Sequence, residues 1–236
     1  MNNRPTRMLS FPLAITICLL ASGPSFGGVV GGSGGFLMGI NSLSMSGFST
    51  HLEENGYPAL SRAFVELGGG AHAFVKTAVL TLEGGGFFSN SASNGRYDIS
   101  LSGGHGFHHV GVIVYERQNL MVYPLVGLGV AGYRLKVTDY EAGTLRDFTS
   151  TSVIADVALA AEHIFAQESD RRSNMGVIFG FRVGYTFSVA TNHWQAERNG
   201  SFMPTVPFPK LGVTGPYLRL YLGGGWLQMD TYDAEF

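Results

Sequence analysis

Residues 175–190 read MGVIFGFRVGYTFSVA. Met175, Val177, Phe179, Phe181, Val183, Tyr185, Phe187 and Val189 share one parity. Gly176, Ile178, Gly180, Arg182, Gly184, Thr186, Ser188 and Ala190 share the other. Side chains of a strand alternate between its two faces, so this stretch is a strand between two different environments. Its large apolar face is continuous, and its second face is small or polar. Leu218, Leu220 and Leu222 alternate in the same way with Arg219, Tyr221 and Gly223. Val153, Ala155, Val157 and Leu159 alternate with Ile154, Asp156, Ala158 and Ala160.

Working outward from this strand, a loose repeat appears. FVELGGG (64–70), LTLEGGGFF (80–88), ISLSGGHGF (99–107) and YLGGGW (221–226) each run from alternating residues into glycines. Their irregular spacing argues for hairpins and against a solenoid. Eight strands are placed at 29–41, 62–75, 78–89, 96–115, 119–136, 151–166, 175–190 and 215–228. The connections alternate. Those at 42–61, 90–95, 137–150 and 191–214 are long, and those at 76–77, 116–118 and 167–174 are short. Transmembrane barrels show this asymmetry, with short periplasmic turns and longer outer loops. The first long connection can hold a short helix, Thr50 to Asn55, ended by Gly56.

Composition decides which face looks out. Only 14% of the residues are charged and 45% are hydrophobic. A soluble barrel would bury the Phe/Val face and show Lys, Glu and Thr to water, and the chain has too few charges for that. With the Phe/Val face against lipid and the small or polar face inside, a closed barrel satisfies every backbone group. The expectation is therefore all-β: a single antiparallel up-and-down transmembrane barrel of about eight strands. The 34 glycines follow no G-X-Y period, which excludes collagen, and they sit among β-branched and aromatic residues rather than in linker tracts. A net charge of −2 leaves no footprint for nucleic acid.

The N-terminus reads as a secretory signal. Arg4 and Arg7 precede a short apolar core from Phe11 to Leu20, followed by small residues that fit cleavage after Gly23 or Gly27. The domain reading is a signal at 1–27 and a barrel domain at 28–236. Cys18, the sole cysteine, lies in the signal core, so the mature barrel would carry no thiol and no disulfide.

These features resemble the small eight-stranded outer-membrane barrels, the OmpA-transmembrane and OmpX-like group. The signal segment, strands such as GVIFGFRVGYTFSV (176–189) and the closing strand GPYLRLYLGGGW (215–226) carry the resemblance. It implies a bacterial outer-membrane location, contact with outer-membrane lipid and insertion by the outer-membrane assembly machinery. Such barrels end on an aromatic residue. Phe236 is aromatic and terminal, but MDTYDAEF (229–236) is acidic and fits a membrane strand poorly.

With parity assigned, Glu66, Glu83, Asp98, Asp156, Glu162, Arg134, Arg182 and Arg219 fall on the inner face, with His72 near them. An eight-stranded interior is just wide enough for side chains to fill. An unpaired buried charge is strongly disfavoured, so these groups are expected to pair into a plug. In strand 96–115, Val110, Val112 and Val114 are out of phase with Tyr97, Ile99 and Leu101, which predicts a bulge between Gly103 and His109. Phe87, Phe88, Phe165, Phe187 and Trp226 lie near strand ends, where an aromatic girdle is expected. Trp194 and Phe202, in the proline-rich last long connection, read first as loop packing on the barrel rim, with candidate surface-loop contacts as the alternative.

Other patterns carry less. Gly127-Leu128-Gly129-Val130-Ala131-Gly132 matches GxGxxG, but a dinucleotide site needs a helix to open there, and the charged, β-branched YRLKVTDYEAG (133–143) follows. His105, His108 and His109 form a local cluster, yet a metal would need more ligands from a neighbouring strand. No cofactor or metal is expected. The functional expectation is a non-enzymatic barrel with a structural, envelope-integrity or surface-binding role and a plugged interior. The alternatives are a lipid A-modifying barrel enzyme and a secreted lipocalin-like binder. For the first alternative, no spacing singles out a nucleophile–base pair. For the second, the usual GxW signature near the first strand is absent.

Overall fold

The computed structural model describes residues 29–117, 119–170, 173–198, 201–203, 209–212 and 214–229. Eight long strands close on themselves. They are β1 (Val29–Ser42), β2 (Ala63–Lys76), β3 (Ala78–Ser93), β4 (Tyr97–Val112), β6 (Leu120–Asp139), β7 (Thr144–Asp170), β8 (Ser173–Thr191) and β11 (Gly215–Met229). Each pairs antiparallel with its neighbour in chain order, and β11 pairs back onto β1 from Val29↔Met229 to Asn41↔Tyr217. The fold is an up-and-down barrel with no free edge along its wall. Three short strands sit on the rims. β5 (Tyr115–Arg117) extends the β4–β6 turn, while β9 (Gln195–Arg198) pairs with β7 and with β10 (Ser201–Met203). The segment read as a signal, Arg171, Arg172 and residues 230–236 lie outside the described residues.

The outer-end connections differ from expectation in one respect. Residues 137–150 are not a loop. β6 and β7 stay paired to Asp139↔Thr144, so this hairpin stands above the barrel as a ladder turned by Gly143.

One helix, α1 (Ser46–Glu54), follows β1. It begins four residues before the expected Thr50, because Ser46, Gly47 and Ser49 are weak helix formers and hid the first turn. Packing supplies what propensity lacks. Phe48 and Leu52, one turn apart, are both buried in the barrel mouth. The helix ends as expected at Gly56, whose φ of 77° only glycine adopts freely. Tyr57 N–H donates to the Leu52 carbonyl at 2.9 Å and Gly56 N–H to the Glu53 carbonyl at 3.0 Å, which is the Schellman arrangement.

The odd face of 175–190 points outward, with Phe179 46% and Val189 62% exposed. Leu222, Leu128, Val130 and Val157 are exposed with it. Such an apolar belt suits hydrocarbon rather than water. Phe88, Phe165, Phe187 and Trp226 are exposed near strand ends. Phe87 is not part of a girdle, because it is buried inside.

Towards the outer end the pattern inverts. Ile99, Leu101, Leu135, Val137 and Phe148 point inward and are buried, whereas Ser100, Arg134, Lys136 and Asp147 of the same strands point out. The strands have left the apolar belt, and here the outward face is polar and the apolar face turns in. The expected bulge in β4 is therefore absent. Its odd residues face inward from Ile99 to His109, and the phase break in sequence records a change of surroundings. The register shift lies opposite, in β3 between Phe87 and Asn90.

Candidate functional site: the charged interior

Along β2 the inward residues run Phe64, Glu66, Gly68, Gly70, His72, Phe74; along β3 they run Val79, Thr81, Glu83, Gly85, Phe87. Charge thus sits between two apolar layers. The outer layer includes Phe64, Phe87, Phe107, Phe148 and Ile154 together with Phe48 and Leu52 of α1. The inner layer includes Phe74, Val79, Met121, Leu125, Ile164, Ile178 and Leu227.

Arg219, from β11, is the hub. Its Nε donates to Glu66 Oε1, its Nη1 to Glu83 Oε1 at 2.8 Å, and its Nη2 lies 3.3 Å from His105 Nε2. Arg182, from β8, donates through Nη1 to Glu83 Oε2 at 2.5 Å. Asn41 Nδ2 donates to Glu66 Oε2 at 2.5 Å. The guanidinium of Arg219 also lies 3.9 Å from the ring centre of Tyr217, a cation–π contact. Glu66, Glu83, Arg182 and Arg219 are all at most 6% exposed. Glycines make room for them. A Cβ on Gly39 would sit 2.9 Å from Arg219 Cγ, and one on Gly180 would sit 2.9 Å from Glu162 Cγ.

Asp156 and Glu162, the two remaining buried carboxylates among the described residues, touch no arginine and each faces a histidine. His109 Nε2 lies 3.1 Å from Asp156 Oδ2, which also accepts from Tyr217 Oη at 2.7 Å; Asp156 Oδ1 accepts from Thr186 Oγ1 at 3.0 Å. His72 Nδ1 lies 2.7 Å from Glu162 Oε1, at an angle outside hydrogen-bond geometry, and Tyr123 Oη donates to the same oxygen at 2.5 Å. Two Arg–Glu contacts and two His–carboxylate contacts thus bring the interior's buried acids and bases together. Arg219 can only donate, so His105 Nε2 accepts from it and the ring's proton lies on Nδ1, 3.9 Å from Glu66 Oε2.

Of the residues read from sequence as interior charges, Glu66, Glu83, Asp156, Glu162, Arg182 and Arg219 are brought inside, and Asp98 and Arg134 are not. Arg134 shares parity with Val126, Leu128 and Val130 and points out beyond the belt, where its Nη2 meets Asp147 Oδ2 at 2.9 Å. Asp98 is on the outward face of β4 and accepts from Tyr140 Oη at 3.5 Å. Both stand where the outward face of the wall has turned polar. His105 and His109, which share one face of β4 by parity, point into this network, and His108, on the other face, is exposed outside.

Trp194 is not a surface contact. It is fully buried, its Nε1–H donates to the Pro209 carbonyl at 2.9 Å, and its ring stacks on Phe48 with centres 5.7 Å apart. It helps α1 close the mouth. The side chain of Phe202 lies outside the described residues. The chain has two tryptophans, so replacing Trp226 by Phe isolates Trp194. Its emission is expected to be blue-shifted and resistant to iodide quenching. Quenching as strong as that of a free indole would contradict the closed mouth.

Thr81 Oγ1 lies 2.9 Å from His109 Nδ1, so hydroxyl, imidazole and Asp156 carboxylate stand in the order of a nucleophile triad. Order is not access. Thr81, His109 and Asp156 are each at most 1% exposed. The glycines of the GxGxxG stretch lie in mid-strand β6, where Gly129 packs against Phe107.

The fold and interior define an eight-stranded antiparallel barrel with an apolar outer belt and a filled, charge-paired lumen, the architecture of small outer-membrane barrels. Among solved structures the chain is similar to Ail, the attachment invasion locus protein of Yersinia pestis, at 10% identity over 86% of this chain and 99% of that one, with a TM-score of 0.43. It is also similar to neisserial surface protein A, at 11% identity over 85% of this chain and 98% of that one, with a TM-score of 0.34. A third is the outer membrane protease OmpT of Escherichia coli, at 7% identity over 86% of this chain and 95% of that one, with a TM-score of 0.25. No protein-family model and no curated protein matches the chain.

Proposed function

We propose that the chain is a non-enzymatic barrel of the bacterial outer membrane with a plugged, non-conducting interior, serving envelope integrity or surface binding. The carrying observation is the lumen. The Arg219–Glu66–Glu83–Arg182 network is held between two apolar layers, and α1 packs into the outer one. An ion path needs wetted polar groups, and these are desolvated and committed to one another. Outer-membrane lipid meets the belt under this reading, and the assembly machinery inserts the chain. The outer ridge presents exposed Tyr140 and Leu145 near Arg96, Glu141 and Arg146, and this is the surface assigned to partner contact.

The full chain, expressed from its first residue in a Gram-negative host, should fractionate with the outer membrane and migrate differently on a gel when heated. In a planar bilayer it should give no stable conductance steps. Steps would refute the plug, and recovery as a soluble periplasmic protein would refute the membrane reading.

A further inference from the structure

The outside of the barrel wall is not uniform. On the β4–β6–β7 side, near the outer edge of the belt, it carries a concavity of about 410 Å³. Its floor is glycine backbone, Gly104 and Gly106 of β4 and Gly132 of β6, and its apolar walls are Val130 and Val153. These glycines are cross-strand neighbours, Gly104 opposite Gly132 and Gly106 opposite Val130. At its outer end stand Thr151 and Asn192, joined by an Asn192 Nδ2 to Thr151 Oγ1 hydrogen bond of 2.6 Å. A register shift between β7 and β8 at Val153/Ile154 leaves an extra residue in β8 beside the concavity. Bulges of this kind bend a wall locally.

We infer that this groove holds an acyl chain of a phosphorylated outer-leaflet glycolipid, with the lipid's head group at the polar rim. Three observations carry this. First, the groove is continuous with the apolar belt through Val130, Leu128 and Val153, so its surroundings are the hydrocarbon that the belt already meets. Second, the barrel's own packing does not require the depression at Gly132. A Cβ there would meet nothing within 4 Å, whereas one on Gly103, on the inner face of β4, would strike Tyr133 Cδ1 at 3.0 Å. Third, the wall turns polar directly above. Arg134 and then Lys136 follow Gly132 outward on the same face of β6. Arg134 is paired with Asp147, which also lies opposite Lys136, and Asp98 is close by on β4. Lys136 forms no ion pair among the described residues and is the cation left for a phosphate.

Apolar burial gives a chain no advantage over bulk lipid, so retention depends on fit and on the rim. The inference rests on the outer-membrane reading, and the test separates the two. The full chain is placed in vesicles of phosphatidylethanolamine containing lipopolysaccharide, extracted in mild detergent, and weighed by native mass spectrometry for retained lipid. The wild type should keep one lipopolysaccharide per barrel. Gly132→Leu fills the groove and should lower retention by about tenfold or more, because fit is what holds a chain already surrounded by lipid. Lys136→Gln should lower it by about fivefold, the effect of one basic residue near an anionic head group. Gly224→Leu is the control. It is also an outward glycine, its Cβ would reach only ordinary contact with the Gly176 carbonyl at 3.9 Å, and it lies on the far wall. It should retain lipid like the wild type. Equal retention by Gly132→Leu, or an equal loss in Gly224→Leu, would overturn the groove. Equal retention of phosphatidylethanolamine would overturn the glycolipid assignment. Heat-shifted migration by every variant confirms that each barrel has folded. Soluble recovery of the wild type would defeat the membrane reading itself, whereas membrane recovery with unchanged lipid retention defeats only this inference.

Discussion

Replacing Arg219 by methionine should destabilise the barrel by roughly 3–5 kcal/mol, the cost of removing one partner from a buried ion pair. Methionine keeps much of the volume, so the loss is electrostatic. Glu66 loses the only arginine it meets among the described residues, while Glu83 keeps Arg182 at 2.5 Å. The damage should therefore localise to Glu66. Adding Glu66→Gln removes the stranded charge, and the amide keeps hydrogen-bonding capacity toward Asn41. The double variant should recover most of the loss, because neutralising both members of a buried pair costs far less than breaking it. Urea titration of the refolded barrel, followed by tryptophan emission and by the heat-shifted band, measures both. A double variant no more stable than Arg219→Met would show that the network is not held by charge.

The same network shows how far sequence reaches. Strand number, closure and the outward direction of the Phe/Val face were readable because 175–190 keeps one parity and one pair of surroundings for its whole length. Glu66, Glu83, Asp156, Glu162, Arg182 and Arg219 were readable because they lie opposite that face inside the belt. Reading every polar strand residue as inward misplaces Asp98 and Arg134. That reading holds only within the apolar belt. Beyond the belt a strand keeps its parity while its solvent changes, so Ile99 and Leu101 turn in and Arg134 and Lys136 turn out.

Trp194 takes the rim-packing reading of its connection, not the surface-contact one. What the sequence could not reveal was that α1 brings Phe48 into the mouth, where Trp194 stacks on it and finds the Pro209 carbonyl for its N–H. An indole buried with a satisfied N–H is cheap, and a mouth left open over an apolar layer is not. The pairing of His109 with Asp156 was hidden too. His109 and Asp156 are on β4 and β7, which are separated by β6, so no sequence spacing links them.

Replacing Phe181 by arginine tests the outside of the wall as Arg219→Met tests the inside. Phe181 lies on the outward face of β8, opposite Leu220 of β11 and Ala161 of β7, and is 42% exposed. If that face meets hydrocarbon, arginine there should cost roughly 2–4 kcal/mol at the middle of the bilayer, less toward its edges. If it meets water, a half-exposed arginine on an edge-free sheet should cost almost nothing. The two solvents thus give opposite results for one substitution. Folding into vesicles, read as the fraction of heat-shifted band over a urea series, should fall for Phe181→Arg and stay near wild type for Phe181→Leu. Ser100 supplies the internal comparison. It is uncharged and lies on the outward face of β4 beyond the belt, opposite Lys136, so Ser100→Arg should leave the same titration nearly unchanged. A penalty at position 181 with none at 100 would locate the hydrocarbon boundary between those two levels of the wall. An undiminished Phe181→Arg barrel would mean that the belt faces water.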